Sequence, residues 1–227
     1  MQSQLTINEQ FSLEITIVVS EMFGQNAYIL RRTDQDRCIV VDPGFEIQQI
    51  VDYLEGNAYQ LDAIFNTHGH IDHIAGNKPL KTLYPSSPLI IGARDAHKLS
   101  DPEANLSLGY GMEVISPVAD ITVEDGELIR FAELAFETRL TPGHSPGHVV
   151  WLFRDTEIPL VINGDVLFKE SVGRTDFPDG SFKQLEKAIR EQLYTLPDET
   201  LVLTGHGNST TIGHEKQHNP FVQPVNA

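Results

Sequence analysis

Thr67-His68-Gly69-His70-Ile71-Asp72-His73 is the stretch on which the reading of the whole chain turns. It holds three imidazoles and a carboxylate, side chains favoured as ligands by zinc and other borderline divalent metals. The run Leu61-Asp62-Ala63-Ile64-Phe65 before it is short and apolar and reads as a buried strand. After it, Gly76, Asn77 and Pro79 interrupt a weakly helical pattern. The four ligand-type residues therefore belong where a strand stops and a helix starts. His68 and His70 are two apart and in an extended segment point the same way. Asp72 and His73 follow on the turn into the helix and face a second point. The spacing predicts two overlapping metal sites. A polar loop with solvated histidines is the plainer reading, and a lone histidine would not displace it.

The chain has 227 residues, enough for one large domain or two small ones. Strands and helices alternate through both halves, with no linker, charge run or low-complexity break between them. A single domain over residues 1–227 is expected, with two sheets packed face to face and helices outside. Strands are read at residues 13–19, 27–30, 38–41, 88–91, 127–131, 134–140, 149–153, 160–163 and 201–203. Ile47, Ile50, Val51 and Leu54 have helical spacing, as do Phe182, Leu185, Ile189 and Leu193. Residues 93–99 form a short helical pattern. Residues 100–120 are aperiodic, and a loop of that length is either a substrate-contacting segment or a surface excursion.

Lys and Arg number 16 against 32 Asp and Glu, for a formal net charge of −16. Such a surface repels phosphate backbones, so no nucleic-acid partner is expected. No apolar run reaches the ~18–20 residues of a membrane span. Residues 1–10 show neither a basic start nor an apolar core, so no signal peptide is read there. The single cysteine, Cys38, lies in an apolar strand and reads as a core residue. One cysteine precludes an internal disulfide and agrees with a cytoplasmic location. Nothing in the sequence sets the oligomeric state.

Three later stretches repeat the first theme. Thr141-Pro142-Gly143-His144-Ser145-Pro146-Gly147-His148, Asn163-Gly164-Asp165 and Thr204-Gly205-His206-Gly207 each place a ligand-type residue beside glycine after an apolar strand. Glycine lets the backbone turn sharply against a crowded site. Four such strand ends can converge on one rim of a sheet sandwich.

This set of motifs resembles the metallo-β-lactamase superfamily, over roughly residues 26–220. Val41-Asp42-Pro43-Gly44, residues 141–148, Gly164-Asp165-Val166-Leu167-Phe168 and Ser171-Val172-Gly173-Arg174-Thr175-Asp176 look like the hydroxyacylglutathione hydrolases, or glyoxalase II group. The resemblance implies an α/β fold, a four-layer αβ/βα sandwich with metals at one edge of the sheets. It implies that His68, His70 and His144 hold one metal ion, that Asp72, His73 and His206 hold a second, and that Asp165 bridges them. The cofactors would be two divalent ions per chain, zinc first, with iron or manganese as alternatives. Full-length glyoxalase II enzymes carry a further helical domain with glutathione contacts. Only Gly207 onward follows the last ligand here, as in the short bacterial and archaeal relatives.

The implied activity is thioesterase: hydrolysis of a small-molecule S-2-hydroxyacyl-glutathione-type thioester by a hydroxide shared between the metals. Asp72 is then also the catalytic proton acceptor. Arg174 is the candidate for gripping a substrate carboxylate, its plainer role being to pair with Asp176 or Asp179. His148 is expected to hydrogen-bond next to the metals. His97, His214 and His218 read as surface residues. One alternative is a persulfide dioxygenase with a single iron on His70, His144 and Asp165. The other is a non-catalytic ligand-binding relative. A secreted β-lactamase is disfavoured by the N-terminus, and an RNA-processing nuclease by the acidic balance.

Overall fold

Side chains alternate across a strand, so a strand with an apolar layer on each side carries two apolar sets of opposite parity. Both sheets here are built on that rule. In the computed structural model, which describes residues 2–6 and 12–224, the first sheet has seven strands, adjacent in space in chain order. They are β1 (Gln2–Thr6), β2 (Ser12–Val19), β3 (Asn26–Arg32), β4 (Arg37–Val41), β5 (Gln60–Phe65), β6 (Leu89–Gly92) and β7 (Ile121–Val123). Pairing is antiparallel from β1 to β4 and parallel from β4 to β7. The second sheet contains β8 (Leu128–Phe131), β9 (Leu134–Leu140), β10 (Val149–Phe153), β11 (Leu160–Gly164), β14 (Leu201–Thr204) and β15 (Thr210–Thr211), in the order β15-β14-β11-β10-β9-β8. A small hairpin, β12 (Leu167–Phe168) with β13 (Ser171–Val172), stands apart from it. Met1 and residues 7–11, part of the N-terminal stretch read above for a signal peptide, lie outside the described residues.

One parity of each sheet meets the other sheet. Leu13, Ile15, Tyr28, Leu30, Ile39 and Phe65 pack against Phe136, Trp151, Phe153 and Ile162 in the central cluster. The opposite parity faces helices. Ile29, Val40 and Ile64 lie under Ile50 and Leu54 of α1 (Ile47–Gly56), and Leu80 of α3 (Asn77–Leu83) joins them. On the far side, Val150, Leu152 and Val161 lie under Leu185 of α4 (Phe182–Ala188) and Ile212 of α5 (Ile212–His218). The order helix, sheet, sheet, helix is the four-layer sandwich expected from the motifs. No helix among the described residues is long and apolar enough to cross a membrane. Ile39 is fully buried between the sheets. Ile39→Val should therefore cost about 1 kcal/mol, seen as a lower urea midpoint at unchanged slope. An unchanged midpoint would place that side chain outside the close-packed layer.

Several elements differ from the sequence expectation. Helix α3 resumes at Asn77, although Gly76, Asn77 and Pro79 read as interruptions. Pro79 stands in the first turn, where the missing N–H has no intrahelical partner to lose. Residues 100–120 contain a 3₁₀ turn, Ser107–Tyr110, and 93–100 is 3₁₀ in place of the expected helix. Helix α4 widens into a π turn over Ile189–Leu193. The tail after the last ligand folds as α5, capped by the Thr211 hydroxyl, which accepts from His214 N. His214 is half-buried there and its ring meets Glu170 at 3.0 Å, so it is not a freely solvated residue. His97 is exposed as expected.

Candidate metal centre

The C-terminal ends of β5, β9, β11 and β14 open onto one rim of the sandwich, and each carries a ligand-type residue just beyond it. His68 and His70 lie in the turn after β5, and Asp72 and His73 on the short helix α2 (Ile71–Ile74). His144 follows β9, Asp165 follows β11 and His206 follows β14. The first sheet pins the last of these loops. Asn26 N donates to Gly205 O at 2.7 Å, Asn26 Nδ2 to Thr204 O at 3.0 Å, and the Tyr28 hydroxyl to Thr204 O at 2.6 Å.

All seven residues meet. Donor atoms of three groups lie within 4.8 Å of one another: His68, His70 and His144; His68, His73 and Asp165; Asp72, His73 and His206. The glycines between them are required by space. Gly164 sits at φ +49, and a Cβ there would lie 2.5 Å from Thr67 Oγ1 and 2.6 Å from His148 Nε2. A Cβ on Gly205 would fall 2.0 Å from Asp165 Oδ1.

Hydrogen bonds on the far side of each ring set its tautomer. Asp42 accepts from Thr67 Oγ1 at 2.7 Å, so that hydroxyl must in turn accept from His68 Nδ1 at 3.0 Å. His73 Nδ1 donates to Asp42 Oδ2 at 2.9 Å, His144 Nδ1 to Arg174 O at 2.8 Å, and His206 Nδ1 to Phe23 O at 3.1 Å. In the neutral rings, Nε2 of all four therefore turns a lone pair inward. His144 Nε2 and His68 Nε2 are 3.2 Å apart, and two lone pairs at that distance call for a cation between or beside them. His70 differs, since no outer acceptor fixes its ring: Nδ1 lies 2.9 Å from His144 Nε2 and Nε2 is buried without a partner. His73 Nε2 and Asp165 Oδ1 are also buried and unpaired. Buried polar atoms are normally satisfied. A set of orphaned imidazole and carboxylate atoms facing one another fits divalent metal ions of the zinc, iron or manganese type.

Asp165 occupies the middle. Its Oδ2 is 3.6 Å from His144 Nε2 and 3.4 Å from His206 Nε2, and its Oδ1 is 3.5 Å from His73 Nε2. Asp72 Oδ2 stands 3.2 Å from His206 Nε2. Protons can stand in for metal charge here. Burial pushes the pKa values of His68, His70 and His148 well below the usual imidazole value, and neighbouring rings add to this. His144 is lowered too, again chiefly by burial. Burial also opposes charge on His73, but Asp165, Asp72 and Asp42 outweigh it and hold that pKa well above the usual value. Against the same opposition, Asp165 and Asp72 push His206 up to about 10. Burial alone would raise Asp165, yet His73 and His206 hold its carboxyl well below the usual range.

A consequence for pH follows. The His206 proton strengthens the metal-free fold fully below the unfolded value near 6.5, and that contribution fades as pH rises through about 10. A metal requires the unprotonated ring. Loading should therefore release protons, and affinity should climb with pH between the two values, by up to about tenfold per unit for each proton displaced. Calorimetric titration of metal into metal-free protein, in buffers of different ionisation enthalpy, measures this. A proton-free, pH-independent affinity would contradict it.

His148 lies beside the converging residues. Its Nε2 accepts from Asp165 N at 3.1 Å, and its ring stacks on His68 at 4.8 Å. Arg174 lines the mouth of the cleft, but Asp176 engages both Nε and Nη2 at 2.9 Å. The fork that a substrate carboxylate would use is already taken, and the backbone oxygen of Arg174 orients His144.

Three supports carried no role in the sequence reading. Buried Asp42 accepts from Thr67 N, Thr67 Oγ1 and His73 Nδ1. Buried Asp95 accepts from Gly69 N, Gly147 N and Ser145 Oγ, tying two ligand loops together. Buried Lys98 donates to Ala104 O and pairs with Asp179. Asp95 and Lys98 lie in a stretch that also holds Arg94 and His97, so nothing local singled them out.

The comparisons with known proteins agree with this geometry. The family model of the metallo-beta-lactamase superfamily matches residues 21–206. A probable metallo-hydrolase of Bacillus subtilis, YqgX, is 40% identical over 199 residues, 87% of this chain and 92% of that protein. The hydroxyacylglutathione hydrolase GloC of Haemophilus influenzae is 32% identical over 214 residues, 92% of this chain and 98% of its own. The crystal structure of the B3 metallo-beta-lactamase BLEG-1 superposes with a TM-score of 0.85 at 31% identity, covering 98% of this chain and 99% of that one. The structure of TTHA1623 in a di-iron-bound form gives 0.80 at 30% identity, covering 91% and 100%. The chain belongs to the metallo-β-lactamase superfamily, as a metallo-hydrolase.

Proposed function

We propose that the protein is a binuclear metal-dependent thioesterase of the hydroxyacylglutathione hydrolase type, acting in the cytoplasm on a small-molecule thioester. The observation that carries this is the convergence of seven donor residues in overlapping groups, of which His70, Asp72, His144, Asp165 and His206 line one cleft. The likeness to GloC directs the choice of substrate. His68, His70 and His144 would hold one ion, Asp72, His73 and His206 the other, and Asp165 would lie between them. When bound, such ions lower the pKa of water toward neutrality and polarise a carbonyl.

The remaining work falls to the chain. Asp72 lies at the open side of the group and its carboxylate accepts the proton of the attacking water. The water oxygen bonds to the acyl carbon, the carbon–sulfur bond breaks, and sulfur leaves as thiolate. Thiols are acidic enough that no dedicated general acid is required. Phe23, Phe168 and Phe177 wall the cleft and thin the water around the reacting atoms. His148 and Asp42 hold the ligand residues in place from behind. Arg174 contacts the substrate from the rim, as a wall residue whose charge is shared with Asp176.

The test is a substrate panel on one metal-loaded preparation: S-lactoyl-glutathione, a neutral lactoyl thioester, a β-lactam and a glutathione persulfide. The β-lactam is included because of the likeness to BLEG-1. Thioester hydrolysis well above β-lactam turnover is the expected result. Oxygen consumption with the persulfide, on a single iron, would favour the dioxygenase reading, for which His70, His144 and Asp165 do stand together. With a formal charge of −16 the chain is a poor partner for nucleic acid, and none is proposed.

A further inference from the structure

Beyond the metal cleft, of about 360 Å³, lies a second one of about 610 Å³. Leu106, Tyr110, Arg174 and Phe177 line both, so the two clefts adjoin there. The outer cleft adds Leu108, Gly109 and Glu103. Its lining is apolar apart from Glu103 and Arg174. Arg174 is the one lysine or arginine lining either cleft among the described residues, and Asp176 already holds its fork. A thiol bearing free carboxylates, such as glutathione, finds no uncommitted cation there.

The wall is built and held. Leu106 sits at φ 70, ψ 3, a left-handed backbone that a leucine adopts only under constraint, and its side chain lines both clefts. Such strain persists where the surroundings over-determine it and marks functional positions. Buried Asn105 supplies that constraint. Its Nδ2 donates to Lys98 O at 3.1 Å and Val114 O at 2.9 Å, while its backbone oxygen accepts from Ile71 N at the start of α2 at 3.0 Å. Lys98 then joins the two sides of the outer cleft, reaching Ala104 O on one and Asp179 on the other. Leu108 and Tyr110 stay 54% and 53% exposed on this fixed wall, apolar surface left open beside a reaction centre. Phe23 braces Tyr110 edge-on at 5.2 Å, and Arg174 covers Phe177 at 4.8 Å.

We propose that the outer cleft binds an uncharged apolar chain of the thioester, with Leu108 and Tyr110 setting specificity, so that the protein prefers apolar acyl thioesters to those of glutathione. This rests on the thioesterase reading above and narrows it. The chain can belong to the acyl side or to the thiol side. Two substrate series on the metal-loaded enzyme separate these sources: acetyl to octanoyl on one neutral thiol, and a fixed acyl group on ethyl to octyl thiols. In one series kcat/KM should rise about fourfold per methylene until the cleft is full. The neutral ester should exceed the glutathione ester of the same acyl group. Leu108→Asn should lower the ratio of octyl to ethyl kcat/KM by about tenfold or more, at unchanged metal content.

Binding of non-hydrolysable S-octyl and S-ethyl thioethers to the same protein reads the cleft without turnover. Tighter octyl binding, lost in Leu108→Asn, supports the cleft even if no thioester is cleaved, in which case the thioesterase reading alone falls. Flat chain-length dependence in both series and in binding, or preference for the glutathione ester, would overturn the inference.

Discussion

Asp165→Ala should lower thioester kcat/KM by about 10³-fold, the order lost when a central electrostatic group is removed from an active site, and should empty both metal positions. Its Oδ2 lies near His144 of one group and His206 of the other, and its Oδ1 near His73. Asp72 meets His73 and His206, both of one group. Losing a peripheral ligand such as His206, whose side chain is 29% exposed, strips one position only and should cost less. Asp165→Asn keeps the shape and lacks the charge, so it should fall between. Elemental analysis and kinetics on the purified variants give the comparison. Two retained metals and full activity in Asp165→Ala would show that the residue bridges nothing.

Asp42→Ala should cost about 3–9 kcal/mol of stability in the metal-free protein, at about 1–3 kcal/mol for each buried donor left unpaired. Three donors depend on it: Thr67 N, Thr67 Oγ1 and His73 Nδ1. Asp42 also sits at φ 50, which aspartate tolerates better than alanine. The same change frees the His73 ring and, through Thr67, the His68 ring. Metal affinity should therefore fall by about 10–100-fold, the usual cost of losing a group that orients a ligand. Urea unfolding of the metal-free variant and competition with a chelator measure the two effects separately. A wild-type midpoint together with wild-type affinity would remove Asp42 from the account.

The convergence of the seven residues was legible because its signal is local. His-x-His-x-Asp-His after an apolar strand is a short-range pattern, and each later ligand stands beside glycine at a strand end. The main strands were legible for the same reason, since a strand covered on both faces reads as a short continuous apolar run. The short edge strands β7 and β15 and the helix α5 were not read. Their residues are few or polar, and β7 meets β6 only across the stretch at 93–120. Asp42 was quoted only within a family motif, because its role depends on Thr67 and His73, which no local spacing reveals. Asp95 and Lys98 act across the fold on backbone groups of other loops, so their partners are likewise invisible in sequence. With Arg174 the sequence placed the residue near the cleft, but its commitment to Asp176 is a matter of side-chain geometry. The loop at 100–120 read as aperiodic, and the left-handed Leu106 and the anchoring by Asn105 that make it a wall appear only in three dimensions.

The central claim is that two metal ions, held by one set of seven residues, support hydrolysis of a thioester. The most direct test is to titrate zinc, and separately ferrous iron, into metal-free protein while following thioester hydrolysis. Activity is expected to rise to a plateau at two equivalents per chain and to stay there with further metal. A plateau at one equivalent, or full occupancy of two without thioester cleavage, would contradict it.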